Sequence, residues 1–177
     1  MNDIEIIKNK VLELNQNITV HSINKNQIIF ENRVRVNCFY CSKYNKQWTC
    51  PPNIPNIDYE KVISEYDNII ILGISYDVNN LNYADIRIKS TNEIHKTLLL
   101  LEKKLWDMGH PMAISFIGGS CKLCKNGCAE DKCRNSQSAR IPIEATGINV
   151  IKTLKNIDID VDFTNTSQIS RYGMLLW

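Results

Sequence analysis

The chain has 177 residues, of which 44% are hydrophobic and 23% are charged, and its formal net charge is +2. This length and balance predict a single domain over residues 1–177, with a core large enough to fold without disulfides. The small net charge gives no reason to expect nucleic-acid binding, and no apolar run approaches the roughly 20 residues that cross a bilayer. We therefore expect neither a nucleic-acid nor a membrane partner.

The N-terminus and the cysteine count both indicate a reducing compartment. The first residues lack the cationic and apolar regions of a secretory signal, so we expect a cytoplasmic protein. Thiols in that compartment usually serve metals or catalysis. The odd number of cysteines, seven, also argues against a complete set of disulfides.

The N-terminal third predicts a helix and then strands. Behind Asp3, apolar residues recur at helical spacing as far as position 14. Strands are then predicted at Ile18–Ile23, Gln27–Phe30 and Arg33–Val36. Prolines at 51, 52 and 55 predict a loop from Cys38 to Pro55.

The middle of the chain predicts a strand–helix–strand unit. Asn68–Tyr76 contains a continuous apolar run, which is typical of a strand buried on both faces. A long helix is predicted from about Tyr83 to Met108, followed by a strand at Pro111–Ile117. Such a unit implies a right-handed crossover between parallel strands and leaves the chain at a strand's carboxyl end, where open α/β sheets bind ligands.

Shorter elements complete the prediction. Helices are expected at Asp58–Tyr66 and Pro142–Leu154, and strands at Ile157–Phe163 and Tyr172–Trp177. The fold class is therefore predicted to be α/β: a single domain with a mixed sheet, a strand–helix–strand crossover and cysteine-rich metal-cluster loops.

The densest motif is a group of four cysteines with the spacing C-x2-C-x3-C-x4-C, formed by Cys121, Cys124, Cys128 and Cys133. Four thiolates on a short backbone suit a [4Fe-4S] cluster. Nearby glycines would let backbone N–H groups turn toward cluster sulfurs. Basic residues around the group would offset the negative charge of a cluster; they are Lys122, Lys125, Lys132, Arg134 and Arg140.

Zinc is the alternative metal for this group. A structural Zn²⁺ site also takes four cysteines, but it usually draws them from two pairs separated by a longer gap. The gaps here are all short, so the spacing favours iron–sulfur over zinc.

A second group, C-x2-C-x8-C-P-P, contains Cys38, Cys41 and Cys50. Three thiolates hold three corners of a cubane, and the fourth position is either ligated from elsewhere or left to a small-molecule ligand. An iron with an open position is a Lewis acid, so we expect any catalysis here. A rival arrangement draws one cluster's ligands from both groups. The candidate fourth ligands are His21, His95, His110, Asp58 and Glu144.

Other residues near the cysteines have two interpretations each. Tyr40, Tyr44 and Trp48 are expected to shield a cluster from water; alternatively, they form a stacking platform for a substrate. Glu144 is expected to be a carboxylate on the first turn of a helix, favoured there by the helix dipole; alternatively, it is a proton donor or a ligand near the cluster. His95 is expected to be structural.

These motifs together resemble the predicted metal-binding protein family known as domain of unknown function 2284, over about residues 33–155. The family's cysteine pair, Tyr-Gly-Lys stretch, Trp and Cys-Pro-Pro correspond to positions from Cys38 to Pro52, with Asn45 where glycine is usual. Its Arg-Pro-Ser-Met-Glu-Ala motif corresponds, with changes, to Arg140–Ala145. The resemblance implies metal binding and cytoplasmic life in anaerobic bacteria and archaea, and it supplies no reaction.

Three functions are consistent with the sequence. The favoured hypothesis is an iron–sulfur protein with one or two [4Fe-4S] clusters that transfers electrons or assists redox chemistry together with a partner protein. The second is an enzyme that uses an open-site [4Fe-4S] cluster on Cys38, Cys41 and Cys50 for sulfur or dehydration chemistry on a small molecule. The third is a zinc-binding structural module or metal chaperone.

Overall fold

A computed structural model describes residues 2–78, 83–162 and 167–177. In chain order these residues form α1 (Asp3–Leu14), β1 (Thr19–Ser22), α2 (Asn32–Phe39), α3 (Tyr59–Ser64), β2 (Ile69–Asp77), α4 (Tyr83–Asp107), β3 (Ile114–Phe116), α5 (Val150–Lys155) and β4 (Gln168–Leu176). Short 3-10 turns lie at Lys25–Gln27 and Ile143–Thr146. No helix within the described ranges is both long and apolar enough to cross a membrane.

The sheet has the strand order β1-β2-β4-β3, and each neighbouring pair is antiparallel. Because β2 and β3 both run antiparallel to β4, they run parallel to each other, and α4 connects them. The predicted α/β class is confirmed. The two strands of the predicted crossover are not neighbours, however, because the C-terminal strand β4 lies between them. A parallel bridge joins Ile117 to Pro142 just beyond β3.

Apolar side chains cover both faces of the sheet. On one face, Ile70 and Leu72 of β2 pack in a cluster with α1 and with Leu98 of α4. On the other face, Ile71 belongs to a cluster with Leu154 of α5 and with residues of α3 and the turn Ile143–Thr146. The apolar run in β2 is therefore explained by burial on both sides, although the sheet is antiparallel.

Three predicted strands are wrong. Gln27–Phe30 forms the end of a 3-10 turn and a single bridge from Phe30 to Ile148, and Arg33–Val36 lies within α2. Residues 157–162 of the predicted strand Ile157–Phe163 form a turn and irregular backbone, and Phe163 lies outside the described residues. β-Branched residues in short segments form a strand only where they can pair with the edge of a sheet. In the part of the chain that the structure describes, none of these three segments pairs as a strand of the sheet.

The predicted helix Pro142–Leu154 is interrupted. Gly147 adopts φ +95° and ends the turn Ile143–Thr146, and Asn149 then caps α5 by accepting a hydrogen bond from the Lys152 N–H at 3.1 Å. A left-handed residue stops a helix, and an Asn side chain begins the next one. Glu144 therefore lies on a short turn rather than on the first turn of a long helix.

Candidate metal centre

We call Cys121–Cys133 the four-cysteine loop and Cys38–Cys50 the three-cysteine segment. All seven cysteines are free thiols. Cys50 is buried, Cys41 is exposed and the other five are partly exposed. The thiols are thus chemically available as ligands, and their accessibility differs between the two groups.

Strand β3 delivers the chain to the four-cysteine loop. Ile117 extends β3 by donating its N–H to Ile141 at 3.0 Å and accepting from the Ile143 N–H at 2.9 Å. Gly118 then passes directly over the backbone of β4: a Cβ at this position would lie 2.2 Å from the Tyr172 carbonyl oxygen. Gly119 follows with φ +73°. These glycines turn the chain away from the sheet immediately before Cys121.

The four cysteines of the loop line one cavity. This cavity of about 20 Å³ has a lining that joins the loop to the three-cysteine segment. Its residues are Gln47, Trp48, Thr49, Cys121, Leu123, Cys124, Gly127, Cys128, Cys133 and Asn135. The amide nitrogen of Asn135 lies 3.1 Å from the Cys124 Sγ, so it donates to the thiol.

The charges of the four thiols act on one another. Burial raises the pKa of the Cys121 thiol, a hydrogen bond from the Leu123 N–H lowers it, and the negative charges of Cys128, Cys133 and Cys124 raise it again. No group of three or more His, Cys, Asp or Glu side chains in the described ranges is arranged to hold a metal ion. The loop thus groups its thiols around a cavity without closing them on one point.

The three-cysteine segment begins on a helix. Cys38 lies on the last turn of α2, and the chain then turns repeatedly, with the Cys41 N–H donating to the Cys38 carbonyl at 3.1 Å. Asn45 adopts φ +53°, and its N–H donates to Pro51 at 2.9 Å. Asn therefore takes the left-handed conformation that glycine would take in the related motif, and the turn brings Cys50 back toward Cys38.

The two cysteine groups adjoin each other at Cys50. Burial raises the pKa of the Cys50 thiol to about 11, and the charges of Cys41, Cys38 and, less strongly, Cys121 add to the rise. The segments are also linked by hydrogen bonds: Trp48 Nε1 donates to the Ala129 carbonyl at 2.9 Å, and Gln47 Nε2 donates to the Cys121 carbonyl at 3.4 Å. A metal bound by either group would displace thiol protons.

The aromatic residues of the three-cysteine segment differ in position. Trp48 is partly buried and lines the cavity of the four-cysteine loop, which fits the shielding interpretation. Tyr44 packs edge-on against Phe39, with ring centroids 4.9 Å apart. Tyr40 is 78% exposed, so it shields little.

Comparison with family models assigns the protein to a family. A family model described as a predicted metal-binding protein, domain of unknown function 2284, matches residues 21–177. The chain belongs to this family. The resemblance inferred from the cysteine motifs is thereby confirmed, and its extent is larger than the motifs alone indicated. Neither the curated proteins nor the solved structures include a significant match to the chain.

The structure places the five candidate fourth ligands of the three-cysteine segment in different parts of the fold. His95 is buried in α4 and bonds the Ser138 carbonyl through Nε2 at 2.7 Å, and His110 lies 2.9 Å from an oxygen of Asp3. Asp58 caps α3, and His21 lies on β1. Glu144 contacts the three-cysteine segment through its backbone: its carbonyl oxygen lies 3.9 Å from the Cys38 Sγ.

Basic side chains also converge on the cysteines. Burial lowers the pKa of Lys122, and the charges of Arg87, Lys43 and Arg171 lower it further. Among the described residues, Arg87, Lys122 and Arg171 form no ion pair with a carboxylate. Sequence reasoning found Lys122 but missed Arg87 and Arg171, because only the fold brings α4 and β4 beside the loop. Unpaired cations at this position favour a bound anionic group.

An ion pair holds the segment that follows the four-cysteine loop against α4. Arg140 pairs with Glu102 through two hydrogen bonds, one of them at 2.7 Å from Nε. The side chains of this pair are only 21% and 12% exposed. Arg140 was expected to offset cluster charge; instead, its guanidinium is engaged with Glu102, and its role is to hold the end of the loop.

His95, which is close to this ion pair, should make the stability of the protein depend on pH. Burial lowers its pKa, the hydrogen bond to Ser138 raises it, Arg140 lowers it and Glu102 raises it, with a net depression below 6.5. As the pH falls below 6.5, His95 binds a proton more readily in the unfolded chain than in the folded chain. The free energy of unfolding should therefore decrease as the pH falls. Urea unfolding at several pH values should show a flatter dependence for His95→Gln between about pH 5 and 7. An equal slope in both proteins would contradict this.

Proposed function

We propose that this member of the metal-binding family is an iron–sulfur protein. The four-cysteine loop would hold one [4Fe-4S] cluster, and Cys38, Cys41 and Cys50 would hold a second. The observation that carries the proposal is the gathering of four thiols around one cavity whose wall is completed by the neighbouring three-cysteine segment. Thiolates are the usual ligands of such clusters, and a short flexible loop is their usual support.

The chemistry of the chain's own donor groups suits this cofactor. Gly119 and Gly127, with φ of +73° and +79°, free the backbone around the loop, and Asn135 already donates to a thiol. Lys122 and Arg171 place unpaired positive charge nearby, which compensates the negative charge of four thiolates and an inorganic core. Bound clusters supply one-electron redox chemistry, with potentials tuned by hydrogen bonds, charge and exposure.

We infer that the protein transfers electrons or assists redox chemistry in the cytoplasm. The proximity of the two cysteine groups supports this role, because two redox centres at these positions would be neighbours: Gln47 donates to the Cys121 carbonyl, and Thr49 and Cys121 line one cavity. Phe39 and Tyr40, 58% and 78% exposed, lie beside Cys38 and Cys41 and offer an aromatic surface for a redox partner protein.

The second candidate is an enzyme that uses the three-cysteine segment for sulfur or dehydration chemistry. One observation favours it: Cys41 is exposed, so a small molecule could reach this group from solvent. In that case the vacant position of a cluster with three thiolates would bind the substrate. A change in the spectrum of the reduced protein on adding a small thiol would support this function over electron transfer alone.

The proposal is tested by metal analysis of protein purified without oxygen. We expect about eight irons and eight sulfides per chain, as two cubanes require, and an EPR signal after reduction. About four irons would show a single cluster and would leave three or more cysteines free. A colourless protein that holds zinc and no sulfide would overturn the proposal in favour of a zinc-binding structural module or metal chaperone.

A further inference from the structure

Glu144 has a buried carboxylate oxygen without a partner. Its Oε2 is inaccessible to solvent and accepts no hydrogen bond from any described residue. Burial raises the pKa of this carboxyl, while hydrogen bonds from the N–H groups of Glu144 and Gly119 and the charge of Arg171 lower it. No ion pair within 4 Å compensates it among the described side chains. A buried oxygen of this kind is costly unless something binds it.

The turn that carries Glu144 lies between the two cysteine groups. The turn Ile143–Thr146 packs against α2, whose last turn carries Cys38, and the Cys38 Sγ is 3.9 Å from the Glu144 carbonyl oxygen. On the other side of this turn, the Ile143 N–H donates to the Ile117 carbonyl at 2.9 Å, four residues before Cys121.

We propose that the Glu144 carboxylate is the fourth ligand of the metal site at Cys38, Cys41 and Cys50. This proposal rests on the proposed function, since it completes the second cluster. Carboxylate oxygens bind iron, and a single oxygen among thiolates gives that iron a weaker, replaceable ligand. A small molecule with a thiol or carboxylate group could then displace Glu144.

Cys121 is the rival for this position. Its charge reaches Cys50, but the same thiol lines the cavity of the four-cysteine loop and interacts with Cys124, Cys128 and Cys133. Assigning Cys121 to the three-cysteine segment would leave the loop with three thiols and the buried Glu144 oxygen unbound. Assigning Glu144 instead gives each group four ligands.

The test compares Glu144→Gln with wild-type protein and with Asp58→Asn. The amide has nearly the same shape but is a poor iron ligand, so we expect about seven irons per chain instead of eight and, after oxidation, the EPR signal of a three-iron cluster. Asp58→Asn removes another candidate carboxylate while keeping a good helix cap, and should retain the wild-type content.

The outcomes distinguish this proposal from the proposed function. Wild-type iron content and EPR in Glu144→Gln would overturn the ligand assignment while leaving the two clusters intact. Loss of the fourth iron from the three-cysteine group in Cys121→Ser, but not in Glu144→Gln, would assign the ligand to Cys121. Wild-type protein without iron or sulfide would overturn the proposed function itself. A melting temperature of metal-free Glu144→Gln equal to or above that of metal-free wild type would show that the variant folds.

Discussion

Replacing Cys50 by Ala is expected to remove one cluster and leave the other, reducing iron from about eight to about four per chain. Cys50 is the most buried of the three upstream thiols, 7% exposed, and the charges of both Cys38 and Cys41 act on it. A cluster that loses this ligand would keep only two thiolates. Iron and sulfide analysis after anaerobic purification, with EPR of the reduced protein, measures the effect.

Cys124→Ala is the matched control for this experiment. Cys124 lines the cavity of the four-cysteine loop, and its charge is not among those that act on Cys50. We expect this variant also to retain about four irons, with the spectrum of the other cluster. If either substitution removes all iron, the two groups share a single site, and the division into a four-cysteine and a three-cysteine cluster is wrong.

Gly118→Ala is expected to destabilise the fold strongly and to disturb the metal centre. The added Cβ would lie 2.2 Å from the Tyr172 carbonyl oxygen, a backbone atom of the central strand β4 that cannot rotate away. Overpacking of this kind costs about 3 kcal/mol or more. Urea unfolding followed by tryptophan fluorescence should show the loss, and iron content should fall because β3 and Cys121 are displaced together.

Gly119→Ala separates this steric effect from backbone strain. Gly119 adopts φ +73°, and a Cβ there would meet no atom within 4 Å. Its cost is therefore limited to the left-handed conformation, roughly 1–2 kcal/mol. Equal or greater destabilisation by Gly119→Ala would show that the contact with Tyr172 is not the constraint at this corner.

The elements with strong periodicity were predicted correctly. The run in β2 and the repeat in α4 each carry many apolar residues, so burial fixes their type whatever lies next to them. Short segments were predicted poorly: Arg33–Val36 has too few apolar residues to distinguish a strand from the observed helix α2. Gly147 was visible in the sequence, but its left-handed backbone, which interrupts the predicted helix Pro142–Leu154, depends on packing.

The order of the strands in the sheet also could not be predicted from the sequence. The crossover from β2 through α4 to β3 was expected to place these strands side by side, and β4 separates them. The last strand can lie between them, buried on both faces, because its apolar residues face both core clusters, as Met174 and Leu175 do. That insertion brings Arg171 beside Lys122, more than 45 residues away in the chain.

The cysteine motifs by themselves determined the family, one of predicted metal-binding proteins. They also determined that Cys121, Cys124, Cys128 and Cys133 lie together, because residues only a few positions apart stay close wherever the chain bends. The tertiary structure alone decided which residues from distant parts of the chain lie beside these cysteines. Burial of the turn Ile143–Thr146 against α2 brought Glu144 to Cys38, and the path over Tyr172 placed Cys121 near Cys50. Such contacts depend on packing between elements far apart in the chain, and local spacing does not encode them.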